Sequence, residues 1–178
     1  MKIISGIKIG QFLLALVVSL SLFGCQSGPA EQNIPANLET ITSPWASCGV
    51  GSFVHYKILM TAGNFIEEKQ TVIEVKSNKV ILDDSLLNGN EWEHKNMVAV
   101  PLQLMVNLDK TIKFTEDTIT IEGKSLRCKV EKQIITDPEH GNKKIVMQTW
   151  MSDDVPGGVV RISHDSTVIV EVVDFNKK

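Results

Sequence analysis

The side chains that could carry chemistry are scattered along this chain of 178 residues. The four histidines are His55, His94, His140 and His164. They show no HExxH or His-x-His spacing, and the chain has no CxxC pair, so no two metal ligands are placed on one side of a helix or hairpin. His94 is the best candidate ligand, and an exposed polar loop explains it more simply. We therefore expect no metal site.

Acidic residues occur as two adjacent pairs, Asp83-Asp84 and Asp153-Asp154. Neighbours along a strand point to opposite faces, so neither pair is suited to act jointly on one substrate. We expect them to be solvated acids at strand ends. The chain also has no Gly-x-Ser-x-Gly nucleophile elbow and no phosphate-binding loop. The sequence predicts no catalytic residue and no cofactor, so the protein is not expected to be an enzyme.

The first 24 residues have the composition of a cleaved export signal. Lys2 and Lys8 give a positive start, no acidic residue occurs, and the run from Phe12 to Phe23 is almost wholly apolar. A membrane-spanning helix needs about 20 apolar residues, so this shorter run does not favour a permanent anchor helix.

The signal ends in Leu22-Phe23-Gly24-Cys25, which resembles the lipobox of bacterial lipoproteins. The resemblance implies cleavage before Cys25 and lipid attachment, palmitate included, at that cysteine. Phe23 is bulkier than the residue usual at its position. Several acyl chains on one cysteine would make membrane dissociation negligible. Because residue 26 is Gln rather than Asp, the resemblance implies a cell-envelope location, in the outer membrane and facing the periplasm.

Cys48 and Cys128 are the remaining cysteines of the exported part. Exported thiols can form a disulfide, but only if their Cα atoms lie within about 7 Å, which sequence separation cannot establish. The sequence leaves two alternatives open: a Cys48–Cys128 bridge, or two separately buried small side chains.

The exported chain divides into a tether and one domain. Residues 25–44 contain the lipidated cysteine and a polar stretch with three prolines, which predicts a flexible linker. Residues 45–178 have the length of a single domain. Removing Lys2 and Lys8 leaves 16 basic against 21 acidic residues. This acidic balance argues against nucleic acid as a partner.

From Trp45 onward the chain is rich in Val, Ile and Thr, whose Cβ branching favours strands. The gaps between the apolar runs hold Gly, Asn, Asp and Pro in spacers too short for parallel crossovers. Residues 86–106 could hide a short helix. The predicted strands are 52–60, 65–76, 79–84, 97–106, 118–122, 125–136, 143–152, 159–164 and 167–175.

These features predict an all-β fold, or a β-rich α+β fold, built as an antiparallel meander after the signal and linker. Such a meander must cover its apolar face by curling into a half or closed barrel, or by packing on a second sheet. In the segment Asp153 to Gly158, Pro156 fixes φ while Gly157 and Gly158 permit positive φ, which predicts a tight turn. Trp45, Trp92 and Trp150 are expected in the core, with a shared apolar groove as the alternative.

Several segments resemble small secreted β proteins of unassigned role, found notably in planctomycete-type bacteria. They are Trp45, Gly51-Ser52-Phe53-Val54, Leu126-Arg127-Cys128 and Trp150-Met151-Ser152-Asp153-Asp154-Val155-Pro156-Gly157-Gly158-Val159-Val160. Those proteins are similar, remotely, to lipoprotein carriers of the LolA and LolB type. That similarity implies a curved sheet whose concave face accepts acyl chains.

Two functions are therefore expected. The first is a membrane-anchored, non-catalytic β domain that binds another envelope component, and it predicts a filled core. The alternative is a carrier of lipid or another apolar ligand, which predicts an empty apolar cavity of several hundred Å³.

Overall fold

The computed structural model describes residues 38–60, 63–107, 113–137 and 143–178, and these form strands and turns without a helix. The strands are β1 (Leu38–Thr42), β2 (Phe53–Leu59), β3 (Phe65–Val75), β4 (Lys79–Asn88), β5 (Glu91–Pro101), β6 (Gln103–Asn107), β7 (Phe114–Ile121), β8 (Lys124–Asp137), β9 (Lys143–Met151), β10 (Val159–His164) and β11 (Thr167–Asn176). In these ranges no helix has the length and apolar character needed to span a membrane. The prediction of an all-β fold is confirmed.

Nine strands form one antiparallel sheet in the order β5-β4-β3-β2-β11-β10-β9-β8-β7, and β1 pairs with β6 in a second, two-stranded sheet. The large sheet consists of two meanders, β2 to β5 and β7 to β11. They are joined where β2 pairs with β11, as in the match of Tyr56 to Val172. The sheet is not closed, so the structure is consistent with an open, curved sheet and not with a closed barrel.

Alternation along the strands puts one face of the large sheet into the core. In β2 the buried residues are Val54, Tyr56 and Ile58, and every second residue is more exposed. The same phase continues through Val72 and Leu82 on the neighbouring strands. Bulges interrupt five of the strand pairs, and a bulge increases local twist. At the β7–β8 turn, Lys124 Nζ reaches to 4.7 Å above the Phe175 ring of β11, which shows the curl of the sheet.

Two predicted boundaries are wrong. Residues 38–42 were assigned to the linker, yet they form β1, whose Leu38 to Thr42 pair with β6. The polar composition concealed a strand that carries two Thr and one Ile, all branched at Cβ. The predicted strand 97–106 is in fact β5 and β6, which meet at Leu102, and β5 begins as early as Glu91. The stretch 86–106, where a short helix was considered possible, consists of the end of β4, all of β5 and most of β6 with the turns between them. The signal 1–24, Cys25 and the linker as far as residue 37 lie outside the described residues.

The turn before β10 is a buried structural element. Val155 and Pro156 are almost completely buried, and Ser152 N donates to Gly158 O at 2.8 Å to close the loop. Gly157 and Gly158 have φ of 77° and 79°. A Cβ at Gly157 would lie 3.0 Å from Cζ2 of Trp45, which is itself 5% exposed. The segment before β2 therefore packs against this turn through the Trp45 side chain.

Candidate functional site

The most unusual chemistry in the described residues is a pair of carboxyl groups inside the sheet. Glu68 of β3 and Asp84 of β4 both have 0% exposure. The register places Gln70 opposite Asp84 and Tyr56 opposite Glu68, all on the core face. Two acids on adjacent strands therefore share a largely apolar interior.

A bulge brings a cation to this pair. Asp84 pairs with Asn96 and Ser85 with His94, so Lys95 is the extra residue of β5. Bulges often redirect a side chain in this way. Lys95 Nζ lies 3.7 Å from Oε2 of Glu68 and 3.9 Å from Oδ2 of Asp84. One ammonium group thus faces two buried carboxyl groups.

Burial, together with the neighbouring charge of Asp84, raises the pKa of Glu68 to about 7, while Lys95 acts in the opposite direction. Burial also raises the pKa of Asp84, against the lowering effect of Lys95. Burial and the charge of Glu68 raise the pKa of the Tyr56 hydroxyl. Near neutral pH the site consequently holds a proton that ordinary surface acids would have released.

The alternation of buried residues along β3 and β4 could have predicted this pair, but Asp84 was considered only together with its neighbour Asp83. Asp83 and Asp84 do point to opposite faces, as predicted, but Asp84 is a core residue and not a solvated acid at a strand end. Val80, Leu82 and Asp84 share one phase of β4, and Glu68, Gln70 and Val72 share one phase of β3. Continuing the apolar alternation would have placed both acids inside. Asp153 and Asp154 are exposed, as expected.

The outer surface of the same strands carries an aromatic and charged cluster. The edge of His55 meets the Trp92 ring at 4.8 Å between centroids, and Lys69 Nζ lies 4.6 Å from that ring. His55 Nε2 is 2.7 Å from Oε2 of Glu67. Met97, on β5, is 67% exposed beside this cluster. We name this surface, formed by His55, Glu67, Lys69, Asp83, Ser85, Trp92, His94 and Met97, the outer face of β2–β5.

His94, the best metal-ligand candidate in the sequence, is engaged by protein groups on this face. Its Nδ1 contacts Oδ1 of Asp83, and Ser85 Oγ donates to Oδ2 of the same carboxylate at 2.7 Å. These two contacts lower the pKa of Asp83 against the opposing effect of its burial. Here the carboxylate lies between serine and histidine, so the histidine is not placed to take the proton of the serine.

Within the described ranges, no group of three or more His, Cys, Asp and Glu side chains is arranged to hold a metal ion. His140 lies outside those ranges.

A row of alternating charges crosses the outer surface at the centre of the sheet. Arg161 pairs with Glu171, Glu171 with Lys57, and Lys57 with Glu67 on four neighbouring strands. The Arg161 Nε donates to Glu171 Oε1 at 3.1 Å, and its guanidinium lies over the ring of Trp150. Opposite charges in directly paired positions stabilise a sheet. This row is a solvated structural surface.

The three tryptophans do not line one groove. Trp45 is buried against the turn before β10, and Trp92 belongs to the outer face of β2–β5. Trp150 lies in the row of charges and donates its indole N–H to Asp117 Oδ2 at 2.8 Å. A mixed cleft of about 560 Å³ opens elsewhere, between the two sheets and the β3–β4 turn. Its lining consists of Thr42, Ala46, Ser77, Asn78, Pro101, Leu102 and Gln103.

Cys48 and Cys128 are free thiols, and both are buried. Cys48 Sγ donates to the Pro44 carbonyl at 3.8 Å and Cys128 Sγ to the Leu126 carbonyl at 3.7 Å. Of the two alternatives, the structure has the separately buried side chains and no bridge between them. Burial raises the pKa of both thiols, which disfavours the reactive thiolate.

Comparisons of the chain with protein-family models, curated proteins and solved structures find no match. Its function therefore has to be inferred from the chemistry of its own surfaces and interior.

Proposed function

We propose that this chain is a membrane-anchored lipoprotein whose β domain binds another component of the cell envelope without catalysing a reaction. Cys25 carries the lipid, and the anchor holds the domain at the outer membrane on its periplasmic side. The observation that carries the binding role is the packed interior of the large sheet. Val54, Leu82, Ile162 and Val172 are between 0 and 2% exposed, which favours a filled core over a ligand cavity.

The alternative, a carrier of lipid or another apolar ligand, requires an apolar pocket that encloses most of its ligand. The cleft between the two sheets is lined largely by Thr, Ser, Asn and Gln side chains and by small apolar ones. Such a lining does not suit an acyl chain. The packed core and the mixed lining of this cleft together favour the binding role.

The outer face of β2–β5 is the surface that we assign to the partner. Tryptophan and methionine are enriched at protein interfaces, and Met97, which is 67% exposed, lies on the same strand and the same face as Trp92. The charges of this face are paired among themselves, so an approaching partner meets ordered polar groups around an apolar centre. That arrangement is typical of the core and rim of a binding surface.

Site-specific photo-crosslinking in native envelope membranes tests the proposal. The full chain would carry a photoreactive residue at Met97 and, in a matched control, at Thr120, an exposed position on β7. We expect a discrete adduct at position 97 that mass spectrometry identifies as one envelope component, and no such adduct at position 120. Equal labelling at both positions, or none at either, contradicts the assignment of this surface.

Organic extraction of the same purified protein separates the two functions. A stoichiometric acyl ligand in the extract would support the carrier and overturn the binding role. An extract without any acyl ligand, while the covalently attached lipid stays on the protein, supports the proposal.

A further inference from the structure

The buried carboxyl pair has fewer hydrogen-bond donors around it than carboxyl oxygens to receive them. Gln70 Nε2 donates to Glu68 Oε1 at 3.2 Å. Glu68 Oε2 and both carboxyl oxygens of Asp84 are buried without a hydrogen-bond partner in the described residues. Two ionised carboxylates can only accept hydrogen bonds, whereas a protonated one also donates. One proton between Glu68 and Asp84 supplies the missing donor.

If both carboxyl groups were ionised, the single lysine beside them in the described residues would leave one negative charge without a counter-charge. Tyr56 of β2, Gln70 of β3 and Asn96 of β5 face the pair as uncharged groups. Lys95 is the cation that faces it, and it can neutralise one carboxylate. On the opposite surface of the sheet, the charges of Asp83 and His94 act on Asp84 with opposing effects.

We propose that Glu68 and Asp84 share one proton and, together with Lys95, form a clamp that holds strand β5 most tightly at acidic pH. The strand β5 stands at one end of the nine-stranded order and pairs only with β4 in the described sheet. Its bulge residue Lys95 retains 29% side-chain exposure, so water can reach the acids there once β5 moves. Opening at an edge strand is the least costly way to hydrate a buried charge.

The direction of the pH dependence follows from where the proton is held. In the closed state Glu68 keeps its proton up to a pKa of about 7, whereas an opened, hydrated Glu68 releases it near the ordinary value of 4.5. Between these two values the closed state holds more protons than the open state. Opening of β5 therefore increases with pH over this window, by about tenfold per unit for one proton, and becomes constant above it.

Hydrogen exchange of the full-length protein, followed by mass spectrometry at pH 5, 6, 7 and 8, tests the clamp. Protection factors correct for the intrinsic pH dependence of exchange. We expect protection of β5 amides to fall by about a hundredfold between pH 5 and 7, by the same tenfold per unit, and then to level off. Protection in β10 and β11, at the centre of the sheet, should exceed that of β5 at every pH, because the edge strand opens without unfolding of the whole sheet.

Two variants assign the effect. Glu68→Gln keeps the shape and supplies a permanent N–H donor, so β5 protection should become independent of pH. Glu74→Gln, an exposed residue further along β3, should keep the wild-type pH dependence. A pH-independent wild type, an equal slope in Glu68→Gln, or β5 protection as high as that of β10 and β11 overturns the clamp. If Glu68→Gln does not fold, the wild-type series and Asp84→Asn, in which the missing charge should lower the pKa of Glu68 and so reduce the fall in β5 protection, decide the question.

Discussion

The turn before β10 allows a stability prediction in which steric and backbone effects are separated. Gly157→Ala and Gly123→Ala place the same methyl group at nearly the same φ, 77° and 79°. A left-handed backbone costs an L-residue about 1–2 kcal/mol, so both variants should lose at least this much. At Gly123 no atom lies within 4 Å of the new Cβ, whereas at Gly157 the new Cβ lies 3.0 Å from the Trp45 ring.

The steric part at Gly157 follows from the packing of Trp45. That side chain is 5% exposed and is part of the core cluster, so it has little room to move away. Overpacking a core typically costs about 1–3 kcal/mol. The total expected loss is about 2–5 kcal/mol for Gly157→Ala against about 1–2 kcal/mol for Gly123→Ala.

Equilibrium urea unfolding, monitored by tryptophan fluorescence, measures both free energies. A double-mutant cycle with Trp45→Leu adds a second criterion, because the smaller side chain should relieve the contact and make the two losses less than additive. Equal losses for the two alanine variants, or strict additivity in the cycle, would refute the packing of Trp45 on Gly157.

Three further predictions concern the interior and the N-terminal cysteine. The free energy of unfolding should fall by about 3 kcal/mol between pH 4.5 and 7, because folded Glu68 keeps its proton to a pKa of about 7 and unfolded Glu68 does not; urea unfolding of Glu68→Gln should lack this fall. Ellman's reagent should label neither Cys48 nor Cys128 in the native protein and both after denaturation without reductant, and fewer than two labels would indicate a disulfide. Cys25→Ala should abolish incorporation of labelled palmitate and release the protein from membranes, whereas Cys48→Ser should incorporate it as the wild type does.

Local patterns predicted most of the fold. Alternating Val, Ile and Thr residues, with turn formers between them, located eight strands to within four residues, while the ninth predicted strand merged β5 with β6. The strand β1 was missed because its pairing partner, β6, lies more than 60 residues away, and nothing local reveals that pairing. Whether the sheet closes into a barrel could not be predicted either, because closure depends on the sum of small twists and bulges over nine strands.

The candidate sites were predicted less well for a different reason. Acidic residues are predicted to lie at the surface because most of them do. Glu68 and Asp84 are exceptions, since in the interior they contact each other and Lys95. Their encounter depends on strand register and on a one-residue bulge, neither of which the sequence displays. His94 was the best candidate metal ligand in the sequence, with an exposed loop as the simpler explanation, but it lies on β5 and contacts Asp83 of the neighbouring strand.

The pairing of β2 with β11 has a consequence for how the protein is made. A chain that emerges from its N-terminus can assemble β2 to β5 early, because each of these strands pairs with the next. The other edge of β2 stays unpaired until β11, the last strand of the chain to be made, has emerged. During that interval the exposed edge of β2 presents unpaired backbone N–H and C=O groups, with which a strand of another chain could pair. Cells should therefore need to shield the nascent chain until its last strand arrives, and a loss of residues 167–176 should leave an aggregation-prone fragment and not a smaller folded domain.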